Sequence, residues 1–286
     1  MELTFQYWFL FPVAMVVATI AMTSGIGGAV FFSPIFILFL GLEPAVAIGT
    51  ALITEFFGFS SGMYGYAKAK LIDFKLGINL LIFSIPAAFL GSLYADRLPP
   101  IVLKAIFAAG LIFIGSQLFL SWRKEEKEKA DKDIVEDSIV NYESHIIDKT
   151  GREFKYTVCK KSLGRVFAAV GGAFVGMISV GLAELQEYHL IAKCRIPSPV
   201  AVATSIFVVV VTVLAASTGH FYNFFVHSEP GIFKQIINII IFTIPGVIIG
   251  GQIGPHLQMR LNPDLVKIFI SFLFLLIGII LIVTLV

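Results

Sequence analysis

Long apolar runs and short polar joints alternate along this chain, twice in the same order. In the first half the apolar pieces are a, Tyr7–Thr23; b, Ala29–Leu40; c, Pro44–Tyr64; d, Leu76–Ala95; and e, Pro100–Trp122. In the second half they are a, Val166–Val180; b, Leu185–Ala192; c, Pro199–Phe221; d, Ile232–Ile253; and e, Pro263–Leu285. Pieces c, d and e reach the roughly 20 residues a helix needs to cross a hydrocarbon core. Pieces a and b are shorter, and b of the second half is also polar. Glycine-rich joints part them, Ser24-Gly-Ile-Gly-Gly28 and Ser179-Val-Gly-Leu182. That pattern predicts a re-entrant hairpin, or two half-length helices meeting near mid-membrane. Irregular backbone at such depth persists only when buried in protein or lining a cavity.

The halves also align residue by residue. A constant shift of 154 residues lays Gly27 on Gly181, Val46 on Val200, Ala47 on Ala201 and Thr50 on Thr204. Further on, Phe83-Ser-Ile-Pro86 with Gly91 matches Phe242-Thr-Ile-Pro245 with Gly250, and Ile114-Gly115 matches Ile277-Gly278. Two tandem apolar copies are a common build for secondary transporters, with the site at the repeat interface. We therefore expect an all-α polytopic membrane protein with five membrane segments per copy. The first repeat covers residues 1–122, a charged linker 123–165, and the second repeat 166–286.

Charge decides orientation. The linker Arg123–Arg165 holds 11 of the 21 basic and 10 of the 19 acidic residues. Lys68, Lys70 and Lys75 mark the loop after piece c as cytoplasmic, which puts the linker there too. If each joint returns the chain to its own side, the copies are inverted and Lys193, Arg195 and Arg260 also lie inside. If a and b make one broken span, the copies are parallel and those residues lie outside. The basic residues favour inversion, which also places the acidic start Met1–Gln6 outside. Within the linker, Arg123–Asp133 predicts a helical extension of piece e. The β-type residues flanking Asp148–Gly151 predict a small hairpin in an otherwise solvated linker, with regulation or partner docking as its other role.

Composition confirms the solvent. Apolar residues make up 57% of the chain and charged ones 14%, well short of the quarter usual in soluble domains. No cleavable signal sequence is expected at the start; the net charge of +2 says nothing about partners, and no nucleic-acid partner is expected. The two cysteines, Cys159 and Cys194, suggest no disulfide framework and are expected as free thiols. No Walker sequence, nucleophile elbow, dinucleotide fingerprint or metal-ligand set occurs, so neither an enzyme nor a cofactor is expected.

The candidate chemistry gathers at the joints. Gly25, Gly27 and Gly28 let N–H groups at the start of piece b form a positive pole able to hold an anion, or let helices pack closely. Ser24, Gly181, Thr50, Thr204 and Ser205 are candidate neutral partners for an oxyanion, though membrane hydroxyls also bond back to helix carbonyls. Glu55 lies inside piece c; Glu184 and Glu187 follow the second joint, with His189 beyond. None has a Lys or Arg nearby in sequence. Carboxyl groups at such depth are costly and mark pathways or proton relays, so these three are candidate proton carriers. The alternative for Glu184 is an acid capping frayed helix ends.

The stretches Glu43-Pro-Ala-Val-Ala-Ile-Gly-Thr50 and Cys194-Arg-Ile-Pro-Ser-Pro-Val-Ala-Val-Ala-Thr-Ser-Ile206 resemble the two signatures of the sulfite exporter TauE/SafE family. The resemblance covers both copies. It implies an integral membrane carrier for sulfite, sulfonates or related organic anions. The stretch Gly181–His189 departs from that family's glycine-rich run, which suggests a subfamily with its own substrate or coupling. The resulting expectation is a secondary transporter, an exporter of a small sulfur-containing or organic anion, with an anion channel as the alternative.

Overall fold

The computed structural model describes residues 5–95, 97–130, 144–159, 161–227, 230–258 and 263–285. The acidic start before Phe5, linker positions 131–143 and Arg260 lie outside them. In chain order the first copy gives α1 (Leu10–Ser24), α2 (Ala29–Leu38), α3 (Pro44–Lys68), α4 (Phe74–Ala95) and α5 (Pro100–Ala130). A two-stranded hairpin follows, β1 (Ser144–Ile147) and β2 (Glu153–Tyr156), antiparallel with Ser144 opposite Tyr156. The second copy gives α6 (Lys161–Ile178), α7 (Leu182–Glu187) running into a π-helical turn (Tyr188–Lys193), α8 (Ser198–His227), α9 (Pro230–Gln258) and α10 (Pro263–Val283). The fold is that of an all-α polytopic membrane protein. Among the described residues six helices are long and apolar enough to cross a bilayer: α3, α4, α5, α6, α8 and α9. Piece a of the second copy is therefore longer than its pattern predicts, because the helix starts at Lys161, within the basic end of the linker.

Pieces of the two copies interleave. Helix α1 packs on α9 and α6 on α4; α5 packs on α10; α3 and α8 meet each other at the centre and touch α9 and α4 respectively. Close backbone approach through small residues holds these pairs, because lipid tails compete with any larger apolar side chain. A Cβ on Gly176 or Gly172 would run into the backbone oxygens of Ala88 or Ser84, and one on Gly246 or Gly250 into those of Phe11 or Met15. Hydroxyl pairs add to the seams between α3, α4, α8 and α9: Ser84 Oγ to Thr212 Oγ1 at 2.7 Å, and Thr54 Oγ1 to Thr243 Oγ1 at 3.0 Å.

Two matching pairs, α5 with α10 and α3 with α8, pack antiparallel. Lys104 Nζ near the start of α5 donates to Thr284 O just past α10, while Ser271 Oγ donates to Gly115 O further along. Gly49 early in α3 faces His220 and Phe224 late in α8.

The two cysteines are not free thiols: Cys159 and Cys194 are disulfide-bonded, with Cα atoms 5.1 Å apart. Composition cannot show this, because the pairing depends on the chain doubling back. Helix α6 leads to the second joint, α7 and the π turn return along it, and the residues flanking this V meet at its open end. The linker hairpin forms at the expected glycine turn, and the charged extension of α5 is helical as far as Ala130. The hairpin is not merely solvated. Tyr156 is buried and its OH donates to Asp73 Oδ2 at 2.7 Å, while Lys149 N donates to Ala69 O.

Candidate functional site: two glycine joints and three carboxyl groups

Chain reversal at the first joint needs Gly25, whose φ of 76° lies in the left-handed region open to glycine without strain. The second joint uses Ser179 at φ 56° and Gly181 at φ 112°. These turns bring the two joints together. Ser33 Oγ in α2 lies 2.8 Å from Ser179 Oγ at the end of α6. Glu187 of α7 reaches Gly25, where any Cβ would collide with its carboxyl group.

Each joint has a carboxyl group on its own backbone. Gly28 N donates to Glu55 Oε1 at 2.6 Å, so an acid of α3 occupies the N-terminal end of α2. A Cβ on Gly27 would stand 3.0 Å from the same oxygen, so the glycine lets the acid in. Gly181 N donates to Glu184 Oε2 at 3.0 Å, which caps the start of α7 from within. The ion pairs His145–Glu153, Arg152–Asp148 and Lys155–Glu153 lie in the linker hairpin, away from Glu55 and Glu184. Among the described residues, buried Glu184 Oε1, Gln186 Nε2 and His189 Nδ1 have no hydrogen-bond partner.

The predicted hydroxyls divide. Ser24 Oγ donates to Ala21 O and accepts from Ile26 N, which steadies the first turn. Thr50 Oγ1 donates to Val46 O at 2.7 Å, inside its own helix. Thr204 Oγ1 accepts from Asp73 N at 2.9 Å, and Asp73 Oδ1 in turn accepts from Leu76 N at the start of α4. Ser205 Oγ donates to Gln186 Oε1, linking α8 to α7. Asp73 and Gln186 are the residues sequence reasoning missed. Asp73 sits in a loop that reads as an ordinary helix start, and its link to Thr204 spans the two copies.

Outside the membrane segments, the hairpin turn is built on Asp148. The Thr150 hydroxyl, then the backbone and side chain of Arg152, hold its carboxyl well below the usual carboxylate range. Burial, followed by the Asp73 carboxylate, pushes the Tyr156 phenol upward.

A sequence profile described as sulfite exporter TauE/SafE matches residues 10–281. The chain belongs to the TauE/SafE family. Similar proteins include the "Probable membrane transporter protein YunE" of Bacillus subtilis, 25% identical over 276 residues and covering 94% of each chain. "Probable membrane transporter protein MJ0441" of Methanocaldococcus jannaschii is 26% identical, covering 91% of this chain and 94% of its own. "Probable membrane transporter protein YjnA" of Bacillus subtilis is 26% identical, covering 83% and 86%. No solved structure matches. As a TauE/SafE member this is a multi-pass membrane transporter, and in it the glycine joints fall within the matched span.

Proposed function

We propose that this transporter carries a small sulfur-containing or organic anion, such as sulfite or a sulfonate, across the cell membrane together with protons. The observation that carries the reading is the Glu55 carboxyl group on the N–H of Gly28. Helix starts favour oxyanions through their unsatisfied N–H groups and positive pole. An acid already in that seat competes with any anionic cargo. Protonating Glu55 removes its charge and lets the cargo oxyanion take its place; releasing the cargo lets the carboxylate return. Glu184, on the N–H of Gly181, serves the second joint in the same way, with Glu187 as the neighbouring acid. The backbones of Gly25, Gly27, Gly28 and Gly181, with Ser24, Thr50, Thr204 and Ser205, supply the neutral surroundings of the site.

Inverted repeats belong to the same proposal. Their support is the antiparallel run of α5 with α10 and of α3 with α8, and the meeting of the linker with both the Ala69–Asp73 loop and Cys194. The family's description as sulfite exporters supports the substrate class.

The test uses purified protein in liposomes, labelled sulfite and an imposed pH gradient. Glu55→Gln and Glu184→Gln keep the shape of a protonated acid. Each should still exchange sulfite across the membrane and lose accumulation driven by the gradient. If both variants concentrate sulfite like the parent, the acids are structural and protons are not the coupling ion. Flux in the parent should saturate and show counterflow; conduction without either would make the protein a channel.

A further inference from the structure

The second hairpin differs from the first in ways that its equivalent sequence position does not require. Its returning arm holds six α-helical residues before a π turn, a rare form that is frequent at functional sites. That arm also carries the buried polar atoms without partners at Glu184, Gln186 and His189. Arg195 just beyond it has φ 53°, uncommon for a residue with a side chain. An arm so poorly satisfied is ready to rearrange. A disulfide prevents it: Cys159 before α6 is bonded to Cys194 at the end of the π turn, which closes the open end of the V opposite the glycine joint. The same shift of 154 residues puts Phe5 and Leu40 at these places in the first copy, so the first hairpin has no such tie. The fixed side of the bond is anchored in turn, through Tyr156 to Asp73 and through Lys149 to Ala69.

We propose that Cys159–Cys194 is a latch on the second hairpin, opened by a sulfur nucleophile, a thiolate or sulfite, and that opening it frees the arm Leu182–Lys193 to move during transport. The consequence for flux rests on the transporter reading; the chemistry of the latch does not. The nucleophile attacks Cys159 Sγ and forms a new sulfur–sulfur bond there. The old bond breaks, and its electron pair leaves on Cys194 Sγ as a thiolate. His189 Nε2, 3.7 Å from Cys194 Sγ, is placed to stabilise that leaving group as a donor. With sulfite the products are an S-sulfonate on Cys159 and a thiolate on Cys194, with no outside oxidant or reductant. With a thiol the first product is a mixed disulfide; a second thiolate resolves it to two cysteines and an external disulfide, supplying two electrons. Attack of the Cys194 thiolate on the Cys159 S-sulfonate expels sulfite and closes the latch again. The open fraction therefore follows the concentration of the cargo itself.

The experiment uses the full chain, purified without reductant and reconstituted in liposomes. Sulfite or dithiothreitol is added, the reaction is quenched by alkylation, and peptides are read by mass spectrometry. The expected result is one sulfonate on Cys159 with one alkylated thiol at Cys194 in the sulfite arm, and two alkylated thiols in the dithiothreitol arm. Hydrogen exchange over Leu182–Lys193 should rise in both arms. Counterflow of tracer sulfite should be faster after dithiothreitol than in the untreated protein, which opens only as far as the sulfite in the assay drives it, while Cys194→Ser should match the reduced parent and be indifferent to thiols. Two alkylated cysteines before any nucleophile is added would overturn the latch. So would opening that leaves hydrogen exchange of the arm unchanged. The reduced parent carries the test if Cys194→Ser does not fold. Exchange that responds without any sulfite counterflow would overturn the substrate reading and leave the latch standing.

Discussion

Thr50 and Thr204 occupy equivalent positions and hold different partners. Thr50 is satisfied within its own turn, whereas Thr204 receives the Asp73 N–H from the other copy. Thr204→Val should leave that N–H unpaired and cost about 1–3 kcal/mol, read as a lower thermal midpoint in detergent. Thr50→Val removes only a local bond and should stay within about 1 kcal/mol of the parent. A large loss of cargo affinity in Thr50→Val with unchanged stability would assign its hydroxyl to the substrate. Gly28→Leu places a bulky side chain where a Cβ would already stand 3.3 Å from the Phe59 ring and 3.8 Å from Cγ of Glu55. It should abolish sulfite binding in protein that still inserts and purifies; unchanged affinity would make the first joint a packing device. Glu55 itself was legible in the sequence as a costly acid in an apolar run. Its partner was not, because a link from α3 back to Gly28 leaves no periodic trace.

Among the elements, α3, α4, α5, α8 and α9 were readable from length alone, and the joints from glycine interrupting an apolar run; the full length of α6 was not, because it starts within the basic end of the linker. The Cys159–Cys194 bond was not, because it depends on α7 folding back along α6. Glycines in the seams make a sharper prediction than those in the joints. Gly176→Leu drives a side chain into the backbone of Ala88, so α4 and α6 must separate. The variant should lose about 1–3 kcal/mol or more and aggregate on extraction. In the linker, the depressed carboxyl group of Asp148 stabilises the hairpin wherever it is ionised in the folded chain. That contribution is present above the ordinary carboxylate value of about 3.9 and is lost as pH falls through its lower folded value. Hydrogen-exchange protection of residues 145–155 should therefore persist down to about pH 4, and Asp148→Ala should remove it at neutral pH.

At the scale of the molecule, orientation follows from which loops share a face. On a cysteine-free background, Lys193→Cys should label from the cytoplasm and Ser228→Cys from outside. The reverse pattern would restore parallel copies. Basic residues pointed to this arrangement, yet their count alone left it open. The interleaving of the copies could not be read at all, since nothing in α1 names α9 as its partner. That pairing has a consequence for how the protein is made. Helix α1 leaves the ribosome first, but α9, against which its backbone packs, begins only at Pro230. At about 5–20 residues per second the wait is on the order of 10–40 s, during which a short helix sits in lipid with its main packing face uncovered. Neither half is then an independent folding unit. Residues 1–122 made alone should be degraded, and should survive when residues 123–286 are made in the same cell.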